Sequence, residues 1–502
     1  MIRYSLAAAL FACAGAVIAV PNPAHAQSAD PASERVGTQY MVFEADADAQ
    51  AKAHFLRGLA LLHNFEYGRA ADAFRDAQQA DPGFVMAYWG EAMTYNHPLW
   101  EEQDRDAARG VLARLAPTAP ARAAMARSPR EAAWLAAVET LYAAEGSKEE
   151  RDLAYLASMR AMLADYPDDI DVRAFTGLAV LGSSHGGRQV PVYMEAAGIL
   201  EPGFMTHQRH PGILHYLIHS YDDPVHAPLG ERMAERYATV APDAGHAQHM
   251  VSHIFHALAD WEASEAANIK ADAVVDRQRI AAGRAPSDCG HYNEWLVYAL
   301  LQQGKDASDR VAACRAVAES GEPAYGPVRS YSVMAAWQAV DTGKWPAPLD
   351  EEARAFLLPR LTLTHVDALR RREDPDAVAA AIAEMRRDAE AVPALLARMA
   401  PDDRTTMPWV ERAIAQVEAV RLLAAGDTQG GLSALRAAAE AESALPTVFG
   451  PPAMPKPSWE LLGEELLALG RRDEAAEAFR NALRFAPGRR LSLKGLKAAT
   501  GT

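Results

Sequence analysis

The sequence predicts an all-α protein, a right-handed superhelix (α-solenoid) of stacked helical hairpins. Three observations support this: a self-similarity of ~34 residues, apolar residues at the helical period, and no stretch with the apolar/polar alternation of a half-buried strand. A two-helix unit cannot bury its apolar face alone, so neighbouring units must stack. The 502 residues also exceed the size at which one core keeps growing, which calls for repeats or several domains.

The clearest unit runs from Lys456 to Gly488, with Trp459, Leu462, Gly463, Leu466, Gly470, Ala475, Phe479, Ala482 and Pro487 at the key places. Gly463 and Ala475 let two helices approach, Gly470 ends the first helix and Pro487 stops the second. This spacing resembles the tetratricopeptide-repeat pattern. The same ruler fits 51–84 through Gly58, Tyr67, Ala70, Phe74, Ala77 and Pro82, and fits 85–118 more loosely. It also fits 211–244 and 245–278, with degenerate copies from 290 and 412. Irregular hairpins are expected over 130–185 and 326–400. An inserted loop is expected over Ser183–Arg209, and a break between an N-terminal array (51–345) and a C-terminal array (346–502) at Lys344–Pro348.

The chain opens with Arg3, an apolar run from Leu6 to Val20, and Ala24-His25-Ala26 before Gln27. This is the pattern of a cleaved secretory signal peptide over 1–26, so a periplasmic or secreted protein is expected, with 27–50 as a loose lead-in. No later stretch is long and apolar enough to span a membrane. The formal charge of −16, or −17 without Arg3, argues against nucleic acid or an anionic membrane as the main partner. The basic stretch Arg484–Lys497 is too short to reverse this. Arg370, Arg371 and Arg372 read as a solvated helix face. Of the cysteines, Cys289 and Cys314 follow the signal segment. A hairpin turning at Gly304 would set Cys289 opposite a position near Ser320, an offset that disfavours a disulfide.

Histidine density is the informative chemical feature: nine of the sixteen lie between His207 and His256. His210, His215 and His219 form one run, and His246, His249, His253 and His256 another, at spacings that keep each set on one helical face. In the frames starting at 211 and 245, His215/His219 and His249/His253 take the fifth and ninth places. The repeat resemblance implies that places two, five, nine and twelve of the first helix line the concave groove. That puts His246 and His256 there, with His291, Glu294 and Tyr298 following in the frame from 290. Trp89, Met93 and Asn96 take groove places earlier, with His97 adjacent; core packing accounts for most of that stretch. His63, Asn64 and Glu66 read as helix-end residues.

Histidines four apart on a helix are an established way to hold zinc, and imidazole equally suits copper, iron or nickel. The candidate ligands are therefore His215, His219, His249, His253 and His291, with Glu294 as a further ligand or general base and Asp222 and Asp223 as acceptors that fix ring tautomers. The chain has no His-Glu-x-x-His motif, no phosphate-cradling Gly-rich loop, no Gly-x-Ser-x-Gly elbow and no Cys-x-x-Cys. Three readings stay open: a groove for a protein or peptide partner, a divalent transition-metal site, and a metal-dependent enzyme of hydrolase type. The runs His210–His219 and His249–Phe255, with Phe449-Gly450-Pro451-Pro452, resemble a group of exported bacterial tetratricopeptide-repeat proteins, which we associate with Pro where this chain has Val251. That resemblance implies no particular activity.

Overall fold

The computed structural model describes residues 34–400 and 403–501, so the expected signal peptide lies outside the described residues. The chain divides into two compact units between Ile254 and Phe255, within one helix. In the first unit the helices are α1 (Ala49–His63), α2 (Tyr67–Ala80), α3 (Val85–Met93), α4 (Arg105–Leu115), α5 (Ala119–Ala123), α6 (Pro129–Leu141), α7 (Lys148–Asp165), α8 (Ile170–Gly182), α9 (Val190–Thr206), α10 (Pro211–Tyr221) and α11 (Ala227–Val240). They are followed by α12 (Gly245–Ala257), which carries the division. Most successive helices pack against each other, and α10 also packs on α8 and α1. The fold is thus a mostly helical array of stacked helix pairs, as the repeat pattern predicts.

Local chemistry explains the helix ends. Asp48, Asp104, Ser128 and Asp169 accept from backbone N–H groups of the first turns of α1, α4, α6 and α8, and Ser147 and Glu150 form a capping box on α7. Within the α1–α2 pair, a Cβ on Gly58 would come 2.8 Å from the Phe74 ring. The last repeat repeats this contact, with Gly463 equally close to Phe479, so glycine at that place allows helix contact.

Four expectations need correction in this unit. Residues 96–103 form a minimal antiparallel hairpin, β1 (Asn96–His97) with β2 (Glu102–Gln103), pairing Asn96 with Gln103 and His97 with Glu102. Two residues per strand are too few to show an alternation. The Ser183–Arg209 insertion is a short loop followed by a 17-residue helix, α9. Pro191 sits in its first turn, where no N–H is needed, and Tyr193, Ala196, Ala197, Leu200 and Phe204 supply a buried face. The described part of the lead-in, from Glu34 on, is docked rather than loose. Val36 and Phe43 are buried, Arg130 lies over the Phe43 ring, and Arg35 pairs with Asp243. Trp89 is wholly buried against Phe43, Trp134 and Phe175, which makes it the centre of an aromatic core and not a groove residue.

The second unit contains α13 (Trp261–Ala281), α14 (His291–Gln302), α15 (Ser308–Ala318), α16 (Tyr325–Thr342), α17 (Glu351–Arg354), α18 (Leu357–Arg370), α19 (Pro375–Met399), α20 (Thr406–Ala424), α21 (Thr428–Ser443), α22 (Ser458–Ala468), α23 (Arg472–Phe485) and α24 (Arg490–Thr500). Lys344–Pro348 is a helix-free connection inside this unit. Gly470 ends α22 with φ near +72°, as its place in the repeat predicts. Arg489, from the short basic stretch, is fully buried and donates to both Glu460 oxygens (2.8 and 3.0 Å) and to the Tyr298 hydroxyl (3.2 Å). Tyr298 is therefore spent in the core, its ring on His256, and is not displayed in a groove. Cys289 and Cys314 form a disulfide with Cα atoms 4.5 Å apart, against expectation. Cys289 stands in the irregular stretch before α14, outside the helical register from which the offset was judged, and that stretch is held down by Ser287 N–H on Asp276 and Asn293 on the Ser287 carbonyl.

Gly463→Val is expected to destabilise the second unit by about 1–3 kcal/mol in urea denaturation through overpacking on Phe479. Gly198→Ala, in the middle of α9 with no atom within 4 Å of the added methyl, should instead stabilise the first unit by about 0.5–1 kcal/mol.

Candidate functional site

The first unit gathers five of the sequence-predicted histidines, His215, His219, His246, His249 and His253. His215 and His219 lie one turn apart on α10, and their Nε2 atoms are 3.1 Å apart. His249 and His253 repeat the arrangement on α12, Nε2 to Nε2 3.0 Å. The pairs approach each other through His219 and His253, with ring centroids 5.8 Å apart, and His246 joins His215 at 5.0 Å. Donor nitrogens of His215, His219 and His246 all lie within 4.8 Å of one another.

Hydrogen bonds on the outer nitrogens decide what these rings can do. His215 Nδ1 lies 2.6 Å from the His63 carbonyl, which can only accept, so Nδ1 carries the proton and Nε2 keeps its lone pair. His253 Nδ1 likewise lies 2.5 Å from Asp222 Oδ2, which leaves His253 Nε2 as a lone pair aimed at His249. Carbonyl or carboxylate support of this kind orients metal-binding imidazoles. Two nitrogens on one tetrahedral zinc, each about 2.0–2.1 Å from the metal, stand roughly 3.3 Å apart, close to both Nε2 pairs. Without an ion, the second ring of each pair satisfies the contact by donating its Nε2–H. Burial pushes the pKa of His215 down to about 3 and that of His219 well below the ordinary value, so both rings are neutral at pH 7, the state a metal needs.

A third cluster, His63, Asp171 and His210, comes within ligand reach but has a different logic. His210 Nδ1 accepts from the Ile213 N–H at the start of α10, so its proton sits on Nε2 and is donated to Asp171 Oδ1 at 3.2 Å. His63 Nε2 donates to the same oxygen at 3.1 Å, and its Nδ1 accepts from the Tyr216 hydroxyl at 2.9 Å. Both rings have spent Nε2 on one carboxylate oxygen, so the set acts as a structural anchor, while Asp171 Oδ2 is buried without a hydrogen-bond partner among the described residues. Burial pushes the Asp171 carboxyl up, but the bonds from His210 and His63 outweigh it and hold the group below the usual carboxylate range.

The imidazoles are enclosed, which corrects the expectation of an open groove in this unit. His215 and His249 are wholly buried, and His219 and His253 nearly so. The turn after α1 covers them: Phe65 places its ring 4.3 Å from His215, 5.5 Å from His246 and 6.0 Å from His219. Trp100, at the tip of the β1–β2 hairpin, packs edge-on against Phe65 and is 41% exposed. Phe65 has φ of +56°, unusual for a residue with a side chain. Glu66 caps α12 by accepting from His246 N, and burial raises its pKa to about 7.

The remaining expectations fall as follows. Asp222 takes the acceptor role foreseen for it, whereas Asp223 is committed to Arg188 and to the His226 ring and holds none of the five imidazoles. Asn96 is buried and accepts from Gln103; His97 stacks on Tyr67 with centroids 4.1 Å apart. In the second unit His291 begins α14 beside Tyr292 and Trp295, and His256 packs among Trp261, Trp295 and Tyr298. Glu294 accepts from Arg329 (2.7 Å) and Ser330 (2.6 Å). Sequence reading passed over Phe65, Asp171 and the roles of His63 and His210. The one available signal was the dense polar end of α1, His63-Asn64-Phe65-Glu66.

No family model and no curated protein matches the sequence. Solved helical-repeat structures align over most of its length at low similarity. The APC/C hetero-tetramer Cut9–Hcn1 is 12% identical over 91% of this chain and 78% of that one, with a TM-score of 0.38. Yeast Tom70 is 9% identical over 90% and 89%, TM-score 0.28. The TPR domain of P58(IPK) is 12% identical over 90% and 98%, TM-score 0.23. The fold assignment rests on the stacked helix pairs themselves.

Stability should depend on pH with a definite sign. His63 in the first unit and His365 in the second are buried, and burial lowers each pKa to about 4. A depressed histidine contributes stability that is complete above its unfolded value near 6.5 and is lost as pH falls towards 4. Each ring is worth on the order of 3 kcal/mol across that window. Urea midpoints measured from pH 7 to 4.5 should fall, and His365→Gln should shallow the fall in the second unit alone.

Proposed function

We propose that this protein is a helical-repeat scaffold that binds a divalent transition metal through His215, His219 and His246, with His249 and His253 beside them. The observation that carries this reading is the tautomer of His215. Its Nδ1 proton is fixed on the His63 carbonyl, so a lone pair points at the neighbouring Nε2 at the spacing of two donors on one ion. The all-imidazole set favours zinc, copper, iron or nickel over magnesium or calcium, which need oxygen donors. When bound, such an ion would supply a Lewis-acid centre. His63 and Asp222 would keep the rings oriented, and Phe65 would exclude water.

A second reading, a surface for a protein or peptide partner, has the repeat architecture in its favour, because stacked hairpins present long helical faces. A partner would have to displace Phe65 and Trp100 to reach the imidazoles. The enzymatic reading with Glu294 as base has less support, since that carboxylate is already held by Arg329 and Ser330.

We also infer that the chain is exported and works in an oxidising compartment such as the periplasm. Two features support this: the signal-like first 26 residues and the Cys289–Cys314 pairing. Mass spectrometry of protein expressed from the full gene in a Gram-negative host should give a mature N-terminus at Gln27, and an intact Met1 in the soluble fraction would refute export.

Elemental analysis of untagged protein after reconstitution with zinc should give at least one atom per chain. His215→Ala or His219→Ala should lower zinc affinity by about a hundredfold or more, while His365→Gln leaves it unchanged. Because burial keeps His215 and His219 neutral when folded, affinity should change less than about fivefold between pH 8 and 6, where three ordinary histidines would lose tenfold or more. Zinc well below one atom per chain, with a melting temperature indifferent to chelator, would end the proposal.

A further inference from the structure

The imidazoles of the first unit are enclosed, so an ion can reach them only when a covering element moves aside. His246 is the least buried of the five rings, and the side chain against it is Trp100, with centroids 6.1 Å apart. Trp100 belongs to the tip of the β1–β2 hairpin, whose ladder is two residues long on each strand and marginal by itself. The contacts of the tip therefore decide how firmly the hairpin is held. Pro98 sits against Gly182 at the end of α8, where a Cβ would come 2.6 Å from the proline ring. Beyond it, Glu101 Oε1 accepts from the Gly186 N–H at 3.0 Å, and Oε2 lies 3.8 Å from His185 Nδ1. His185 is in turn anchored on α7, its Nε2 3.1 Å from Asp152 Oδ2. Pairing with Asp152 and with Glu101 raises the His185 pKa to about 9, so the ring is a cation at pH 7 and Glu101 faces both a charge and an N–H. Gly186 and Gly187, with φ of +79° and +98°, supply the left-handed turn that brings this N–H to the hairpin. Glu101 itself has φ of +56°, so the tip is strained as well as latched.

We propose that the β1–β2 hairpin is the gate of the imidazole site, latched by Glu101 on His185 and Gly186, and that a divalent transition metal enters and leaves when the latch opens and Trp100 lifts from Phe65 and His246. This rests on the metal reading above and adds to it the element that sets the rate of exchange. The packing favours this route over the alternatives. Helices α10 and α12 carry the ligands themselves, so swinging either away would dismantle the set. The turn after α1 is pinned on both sides of its buried end, by His63 on Asp171 and by Asn64, which donates to the Val36 carbonyl and accepts from the Tyr237 hydroxyl. By contrast, Trp100 is 41% exposed and the latching Glu101 side chain reaches solvent. A latch that covers the site without touching the ion raises the barrier to uptake and to release alike, and leaves the equilibrium between them nearly unchanged.

The test follows zinc exchange of the full chain by stopped flow with a chromogenic chelator. Glu101→Ala and His185→Gln should each speed both uptake and release by about tenfold or more, with the equilibrium affinity within about threefold of the parent. Glu195→Ala, which breaks an exposed pair with Arg160 between α7 and α9, should exchange zinc as the parent does. Hydrogen exchange supplies a readout without metal: in chelator-treated protein the amides of 96–103 should exchange about tenfold faster or more in Glu101→Ala, while those of α10 keep the parent's protection. Release speeded with uptake unchanged would make Glu101 a support of the bound ion and overturn the gate. Unchanged rates in both directions, or exchange of 96–103 equal to the parent's, would overturn it as well. A parent that takes up no zinc, while its 96–103 amides respond to Glu101→Ala as expected, would instead overturn the metal reading on which the gate rests and leave the latch standing.

Discussion

A single buried carboxylate organises the first unit. Asp171 stands at the start of α8 and receives an N–H from His63 at the end of α1 and another from His210 at the mouth of α10. An unpaired ionised carboxylate in that environment would cost several kcal/mol, so these three helix ends are held together wherever Asp171 stays charged. The arrangement has a consequence one residue further on. With the His63 ring fixed between Asp171 and Tyr216, its backbone carbonyl faces His215 and settles which nitrogen of that ring carries the proton. Gly212 makes the approach possible, since a Cβ there would come 2.3 Å from His63 Nδ1. The anchor and the candidate metal site are therefore two ends of one hydrogen-bonded chain.

Enclosure follows from the same docking. Because the end of α1 is fixed on α8 and α10, the turn after it carries Phe65 across the imidazoles, in a left-handed backbone conformation that a side chain pays for in strain. Burial then sets the chemistry. Burial keeps His215 and His219 neutral at pH 7, and neutral imidazoles with fixed tautomers are donors for a soft or borderline cation. The second unit solves a comparable problem with opposite charges: Arg489 is buried against Glu460, with Lys456 and Ser492 on the same carboxylate. There the buried carboxylate is met by several donors, and the outcome is a packed core.

Much of the architecture was legible because repeats are written locally. Gly58 with Phe74, and Gly463 with Phe479, fix where two helices touch, and Gly470 fixes where one stops. Features that escaped reading lack such local marks. The β1–β2 hairpin is too short for a period, α9 hides behind Pro191 and Pro202, and the Cys289–Cys314 pairing depends on how an irregular stretch folds back. Trp89 shows the limit of register reasoning: its repeat place points to a groove, yet Phe43, Trp134 and Phe175 surround it, and Phe43 comes from a segment that reads as a loose lead-in.

For the candidate site, the sequence by itself determined that His215 with His219, and His249 with His253, share helical faces, because a spacing of four is a geometric property of the α-helix. It also marked Asp222 as an acceptor within reach. Only the tertiary structure decided that the rings are enclosed rather than displayed, that the His63 carbonyl and Asp222 dictate their tautomers, and that His63 and His210 belong to Asp171. Those partners lie 108 and 39 residues from Asp171. Hydrogen bonds over such separations leave no periodic trace in a chain, since they exist only once the helices that carry them have packed.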